Sequence, residues 1–282
     1  MAAVTIQQIK ELQNRTGAGI MDCKKALIEA DADVEKAIDI LREKGIAKAA
    51  SKAGRTAAEG LAAVAIGEGK AIIVEVNCET DFVSGSPKFH ELVDAIAARL
   101  LEKAPASIEE AKEVTQDLFT DAVVAMRENF VLRRYALVKA EDGQAFGSYL
   151  HQGGKIAVLA LLSKDVGEVN RGLAMTIASG DPYYLSLADV PEADKARELS
   201  IAKKEVADDP KLASKPDNVK EMIASRKVDS RLGDNCLDHK AYALDPEGKL
   251  LVSELYAQKG VQVVSFFRFK VGEGVEKSAE EE

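Results

Sequence analysis

A chain of 282 residues that is 46% hydrophobic, 30% charged and without Trp has room for one large or two to three small domains, each with its own core. Its formal net charge of −9 argues against a protein held on nucleic acid by phosphate neutralisation, a role that needs a basic face. Three scattered cysteines (Cys23, Cys78, Cys236), a start (MAAVTIQQIKEL) unlike a signal peptide, and no apolar run near the ~20 residues of a bilayer span point to a cytoplasmic protein without disulfides.

Residues 4 to 45 read as three short helices. Thr5 with Gln8 forms a capping-box pattern ahead of Ile6, Ile9 and Leu12, and Gly17 and Gly19 break that helix. Cys23, Ala26, Leu27 and Ala30 make the one-face stripe of a second helix. Asp33 caps a third, striped by Val34, Ala37, Ile38 and Leu41, with Gly45 as its expected stop and AKAASKAGR (47 to 55) as a linker that is helical in part.

The period then changes. Residues 61 to 66 and 71 to 76 are apolar runs around Gly67-Glu68-Gly69, a hairpin pattern. Ser86 as cap and Pro87 at the first helical position open a helix striped by Phe89, Leu92, Val93, Ile96, Ala97, Leu100 and Leu101. Ser107 with Glu110 is a second capping-box pattern, and residues 130 to 138 read as a strand. Gly69-Lys70 before AIIVEV is echoed by Gly154-Lys155 before IAVLAL, and the second run again leads into an apolar stripe (Val169, Leu173, Ala174, Ile177, Ala178). A later strand at 261 to 271 matches the one at 130 to 138, so two related sheet-plus-helix subdomains of the α+β kind are expected. Residues 191 to 206 and 218 to 227 are charged helical stretches around ADDPKLASKPD, with narrow stripes at Ala196, Leu199 and Val206 and at Val219, Met222 and Ile223. Such seams suit an inserted antiparallel helical arm, while SAEEE at the end reads as a disordered tail.

Little here points to catalysis. His90, His151 and His239 lie far apart without metal-ligand spacing, and no P-loop, dinucleotide fingerprint or nucleophile elbow is present. No cofactor is expected, and a binding or regulatory protein leads over an enzyme built from scattered carboxylates. One stretch stands out: in NCETDFVSGSPKF, Asp81 and Phe82 sit side by side just past a strand end. Either they face a partner, or Phe82 closes the core at the strand end with Asp81 solvated beside it.

RTGAGIMDCKKAL (15 to 27) and EVNCETDFV (75 to 83) closely resemble the two signature segments of the bacterial elongation factor Ts family; GSYLHQGGKIAVL (147 to 159) and FFRFKVGEGVEK (266 to 277) look like two further ones. Their order and spacing agree along essentially the whole chain. The resemblance implies a nucleotide-exchange factor for the GTPase elongation factor Tu, with no direct nucleic-acid or membrane partner; it also admits a homodimer or a 2:2 complex through the core or the arm. Thr80, Asp81, Phe82 and Val83 match the segment that enters the GTPase near its magnesium and phosphate site. Ile20 and Met21 match positions touching the GTP-binding domain, and His151 matches a residue acting by the phosphate-binding loop. The implied organisation is a helical, ubiquitin-associated-like N-terminal domain with its linker (1–55), core subdomains at 56–143 and at 144–190 with 229–265, an arm at 191–228, and a C-terminal module with an acidic tail at 266–282. Gln13, Gly85 and Gln152 depart from the common family residues, and residues 225 to 251 carry little of the usual pattern. The alternative is a non-catalytic adaptor that binds its partner through the N-terminal three-helix domain, with Gly17-Ala18-Gly19 as the docking loop.

Overall fold

The computed structural model describes residues 3–212 and 214–275, and the chain is α+β. Two units result: one of Met1–Lys139, Leu150–Ala157 and Phe269–Glu282, the other of Ala140–Tyr149 and Val158–Arg268. The SAEEE tail lies outside the described residues.

In the first unit, α1 (Ile6–Thr16) opens with the expected capping box: Gln8 N–H donates to the Thr5 hydroxyl at 3.2 Å, and Thr5 N–H donates to Gln8 Oε1 at 3.0 Å. Gly17, at φ 68°, ends it by donating its N–H to the Gln13 carbonyl. Gly19 precedes α2 (Ile20–Glu29), and Asp33 caps α3 (Val34–Lys52) by accepting from Lys36 N–H at 3.1 Å. These helices close around Leu12, Ala18, Cys23, Ala26, Leu27, Ala37 and Leu41.

β1 (Glu59–Gly67) and β2 (Lys70–Cys78) pair antiparallel with Gly67 opposite Lys70, so Glu68-Gly69 is a two-residue turn in which Gly69 takes φ 65°. After a single-turn helix, α4 (Asp81–Ser84), come α5 (Pro87–Lys103), α6 (Ile108–Met126) and β3 (Val131–Lys139). β3 pairs with the free edge of β2, giving the order β1-β2-β3. One face of the sheet, with Leu61, Ala63, Ile72, Val74 and Val76, meets Phe89, Leu92, Val93, Ile96 and Leu100 of α5 and Ala122 and Val123 of α6 in one core. The second capping box closes one residue early. Ser107 caps α6 by accepting from Glu110 N–H, but the Glu110 carboxylate accepts from Ala106 N–H rather than from Ser107.

Gly45 does not stop α3. The helix runs on to Lys52, taking in the helical part of the linker, and Gly45 is buried where α3 crosses α6. A Cβ there would stand 2.6 Å from Val124 Cγ2 and 3.2 Å from the Thr120 carbonyl oxygen, so the glycine serves close helix approach rather than a C-cap. Gly45→Ala adds about 1 kcal/mol of helix propensity but forces overpacking of about 1–3 kcal/mol. A net destabilisation of about 1 kcal/mol is expected in the urea midpoint.

Glu75 on β2 is fully buried, and its carboxylate is ringed by donors. The register of β2 with β3 shifts between Glu75 and Val76: Glu75 faces Arg134 and Val76 faces Leu132, which leaves Arg133 without a partner residue. That bulge lets two consecutive arginines reach one carboxylate, Arg133 Nη1 at 3.1 Å and Arg134 through Nε. Gly272 N–H also donates to Glu75 Oε1, at 2.9 Å. Arg134 Nη2 donates to the Lys270 carbonyl at 2.6 Å, Arg133 donates to that of Glu273, and the Arg134 guanidinium lies 4.5 Å over the Phe269 ring. Residues 269–273 are thereby anchored on the first sheet. Gly272 needs its φ of 73° here, and any Cβ would strike the Ala58 carbonyl oxygen.

The second sheet has the order β4-β5-β6, from β4 (Ala145–His151), β5 (Ile156–Leu162) and, later in the chain, β6 (Val263–Lys270). In the second unit α7 (Glu168–Gly180) follows β5 and buries Leu173, Ala174, Ile177 and Ala178, much as α5 follows β2. The repeated Gly-Lys-apolar run thus forms the central strand of each sheet. The arm pairs α8 (Glu192–Asp208) with α9 (Asp217–Gly233), ahead of a short α10 (Val252–Lys259). Its seam is Ala202 and Val206 against Ala224, Val228 and Leu232, extended by Val190 and Cys236. The seam misses Met222, which is 47% exposed, because α9 continues past the expected end and its buried row advances by four from Ala224. Glu205 on α8 accepts from Lys227 and Arg231 on α9 at 3.1 and 2.6 Å, bridging the two antiparallel helices beside the seam.

Among the described residues, no helix is long and apolar enough to cross a membrane.

Candidate functional site

β2 leaves the core at Cys78, which is fully buried and lends its thiol proton to the Thr80 carbonyl at 3.3 Å. Burial, helped by the Glu128 charge, pushes this thiol up to about 12. Thr80 then turns the chain. Its hydroxyl accepts from Val83 N–H at 3.3 Å as the N-cap of α4 and donates to Glu128 Oε1 at 2.6 Å. Glu128 Oε2 takes both Glu79 N–H (3.0 Å) and Thr80 N–H (3.1 Å). Glu79 faces back toward the same loop, accepting from Asn129 N–H at 2.6 Å and from Arg55 at 3.3 Å. The strand exit is therefore clamped by side chains on either side of the Glu79–Thr80 peptide.

A single helical turn divides its residues between two faces. Val83 packs against the first core and Ser84 is buried, whereas Asp81 is exposed and Phe82 is 87% exposed. Phe82 does not close the core. The far side is equally fixed: the Ser86 hydroxyl donates to the Val83 carbonyl at 2.8 Å while accepting from Phe89 N–H, so one side chain joins α4 to α5. Of the four residues expected to act here, Asp81 and Phe82 are presented, and Thr80 and Val83 are their mount.

His151 ends β4 and is exposed. It opens a turn whose tightness depends on Gly154 (φ 101°), where a Cβ would stand 2.9 Å from the Ala62 carbonyl oxygen of β1. The next residue, Lys155, extends its ammonium to Glu59 Oε2 (3.2 Å), the Gly60 carbonyl (3.2 Å) and Ser84 Oγ (3.3 Å). The His151 turn and the underside of α4 are thus tied to the same end of β1. Ile20 and Met21, the first two residues of α2, are 59% and 62% exposed. Beside them Asp22 accepts from Arg127 Nη2 at 3.0 Å.

The sequence gives no sign of Glu128 or Arg127 as site residues, and it marks Lys155 only as part of the Gly-Lys repeat. Their partners lie tens of residues away, so no local spacing announces them, and the left-handed cap at Arg127 (φ 64°) is a turn that an arginine does not foretell. Among the described residues no group of three or more His, Cys, Asp or Glu could hold a metal ion.

The family model described as elongation factor TS matches residues 79–273, more than two thirds of the chain. The chain belongs to the elongation factor Ts family. Elongation factor Ts proteins are nucleotide-exchange factors for elongation factor Tu, and translation elongation is the process they serve. The elongation factor Ts match begins at Glu79, the residue before the α4 cap, and takes in Thr80, Asp81, Phe82, Val83 and His151. It also spans the arm and the atypical residues 225 to 251, while Ile20 and Met21 lie outside it.

Proposed function

We propose that this chain releases GDP from elongation factor Tu by pressing the α4 turn against the partner's magnesium and phosphate site, with Phe82 as the wedge. The observation that carries this reading is a large aromatic, 87% exposed, on a turn pinned at both ends. An exchange factor makes and breaks no covalent bond. It binds the nucleotide-free GTPase better than the loaded one, and linkage makes each ligand weaken the other by the same factor. Magnesium tolerates little distortion of its near-octahedral oxygen shell, and its loss leaves the phosphates poorly compensated. Displacing the packed elements that support such a site moves them as a unit, whereas a lone exposed carboxylate is screened by water and salt. Asp81 therefore takes the smaller share, competing for polar partners or repelling phosphate.

In this reading Ile20 and Met21 dock on the GTP-binding domain, and His151 adds a contact near the phosphate-binding loop. The activity belongs to the cytoplasm and needs no cofactor and no nucleic-acid contact by this chain. The helical N-terminal domain, the two core subdomains and the arm act as separate contact regions, and the core or the arm offers the surface for a homodimer or a 2:2 complex.

The test is release of fluorescent GDP from purified elongation factor Tu. Acceleration at substoichiometric concentrations of this protein is expected. Stoichiometric binding without acceleration would instead favour an adaptor working through the N-terminal helices, and neither binding nor acceleration would overturn the exchange reading altogether.

A further inference from the structure

We infer that Glu128 is a positioning residue for exchange, holding the α4 turn in the one geometry that projects Phe82. The inference rests on the wedge reading above. Glu128 follows the left-handed cap of α6 at Arg127, and it meets the turn from outside the turn's own sequence. Its two carboxylate oxygens accept three hydrogen bonds, from Glu79 N–H, Thr80 N–H and the Thr80 hydroxyl. Charge-assisted bonds of this kind are about twice as strong as neutral ones. They also orient the Thr80 hydroxyl so that its lone pair meets Val83 N–H, the bond that starts α4. A four-residue helix cannot hold itself, since one turn fixes several dihedral angles for a single hydrogen bond. The geometry must come from outside, and at the N-terminal end Glu128 supplies it.

The neighbouring residues act on the same junction. Asn129 donates its N–H to Glu79 and its side-chain amide to the Arg55 carbonyl, at 2.6 and 2.9 Å. Arg127 reaches Asp22 at the head of α2, next to Ile20 and Met21. Three consecutive residues, 127–129, thus contact the supports of both proposed binding patches. The Arg127 bond is exposed and contributes little energy, so the weight falls on Glu128.

The experiment uses the full-length protein with Glu128→Ala, Glu128→Gln, Phe82→Ala and the Glu128→Ala/Phe82→Ala double variant. Two readouts are taken: amide hydrogen exchange of the protein alone, and the maximal rate of GDP release from elongation factor Tu. Glu128→Ala is expected to speed exchange at residues 79–85 by about tenfold or more while leaving residues 72–76 of β2 unchanged. It should lower the maximal release rate by about tenfold, with a far smaller change in the half-saturating concentration. Glu128→Gln keeps one carbonyl acceptor and should recover part of both losses. In the Phe82→Ala background the Glu128→Ala change should cost nothing further, because both act through one group. Fully additive losses, or unchanged exchange at residues 79–85, would overturn the assignment; so would faster exchange throughout the core, which marks a general structural role. Should Glu128→Ala fail to fold, Glu128→Gln carries the same comparisons. If Phe82→Ala releases GDP at the full rate, the wedge reading fails, and the positioning role falls with it even where the local clamp on residues 79–85 is confirmed.

Discussion

Phe82→Ala is expected to slow stimulated GDP release by about 10- to 100-fold, the equivalent of the ~1.5–3 kcal/mol gained when a phenylalanine side chain is fully buried. The side chain is 87% exposed in the free protein, so nearly all of that burial remains to be gained in a complex. Its removal should leave the unfolding midpoint within about 0.5 kcal/mol of the parent, since no core contact is lost. Asp81→Asn removes one exposed charge, and exposed pairs are worth at most ~1 kcal/mol, a factor of about five. Stopped-flow measurements with fluorescent GDP and elongation factor Tu rank the two variants directly. A larger loss for Asp81→Asn than for Phe82→Ala would sink the wedge and favour an electrostatic mechanism.

A second large effect is expected in stability. Arg133→Ala combined with Arg134→Ala leaves Glu75 fully buried with Gly272 N–H as its remaining named donor. Removing the partners of a buried charge costs about 3–5 kcal/mol, because the charge stays out of water without compensation. Urea denaturation of the double variant should show a loss of that size. The two arginines keep roughly a quarter of their side-chain surface exposed, so Glu75→Gln, which leaves both cations able to reach water, should cost clearly less. An equal loss in the two variants would show that the cluster is held by packing and not by charge. The double variant should also release residues 269–273 from the sheet, seen as faster amide exchange there, because the same guanidinium groups hold the Lys270 and Glu273 carbonyls.

What could be read from the chain, and what could not, divides by the range of the interaction. Thr5, Asp33 and Ser86 were recognisable as caps because each satisfies a donor three residues ahead, inside one short window. The hairpin at Gly67 and the central strands β2 and β5 were equally plain, being apolar runs bounded by glycine turns. Gly45 is ambiguous in the sequence because a C-cap and a close helix crossing both select glycine, and the deciding neighbours, Thr120 and Val124, lie more than seventy residues downstream. Spacing alone puts Met222 in the arm seam, but the position of the buried row is set by the facing helix. At the candidate site, the signature residues were legible as a segment. The division into presenters (Asp81, Phe82) and mount (Thr80, Val83) was not, because it depends on Glu128 and on the core beneath Val83. The Arg133 bulge left no trace either, since two adjacent arginines in a strand ordinarily point to opposite faces.

The burial of Cys78 has a practical consequence. Its thiol is pushed up to about 12, and only the thiolate reacts with alkylating agents, so in the closed state it is chemically silent at neutral pH. Modification therefore requires the strand exit to open, breaking the bond to the Thr80 carbonyl. Cys23 sits in the N-terminal helical core and Cys236 at the base of the arm, each free, buried and shifted upward by burial. With no label introduced, the alkylation rate at each cysteine clocks the local opening of a different region: the N-terminal helices, the exit of β2 into the α4 turn, and the arm root.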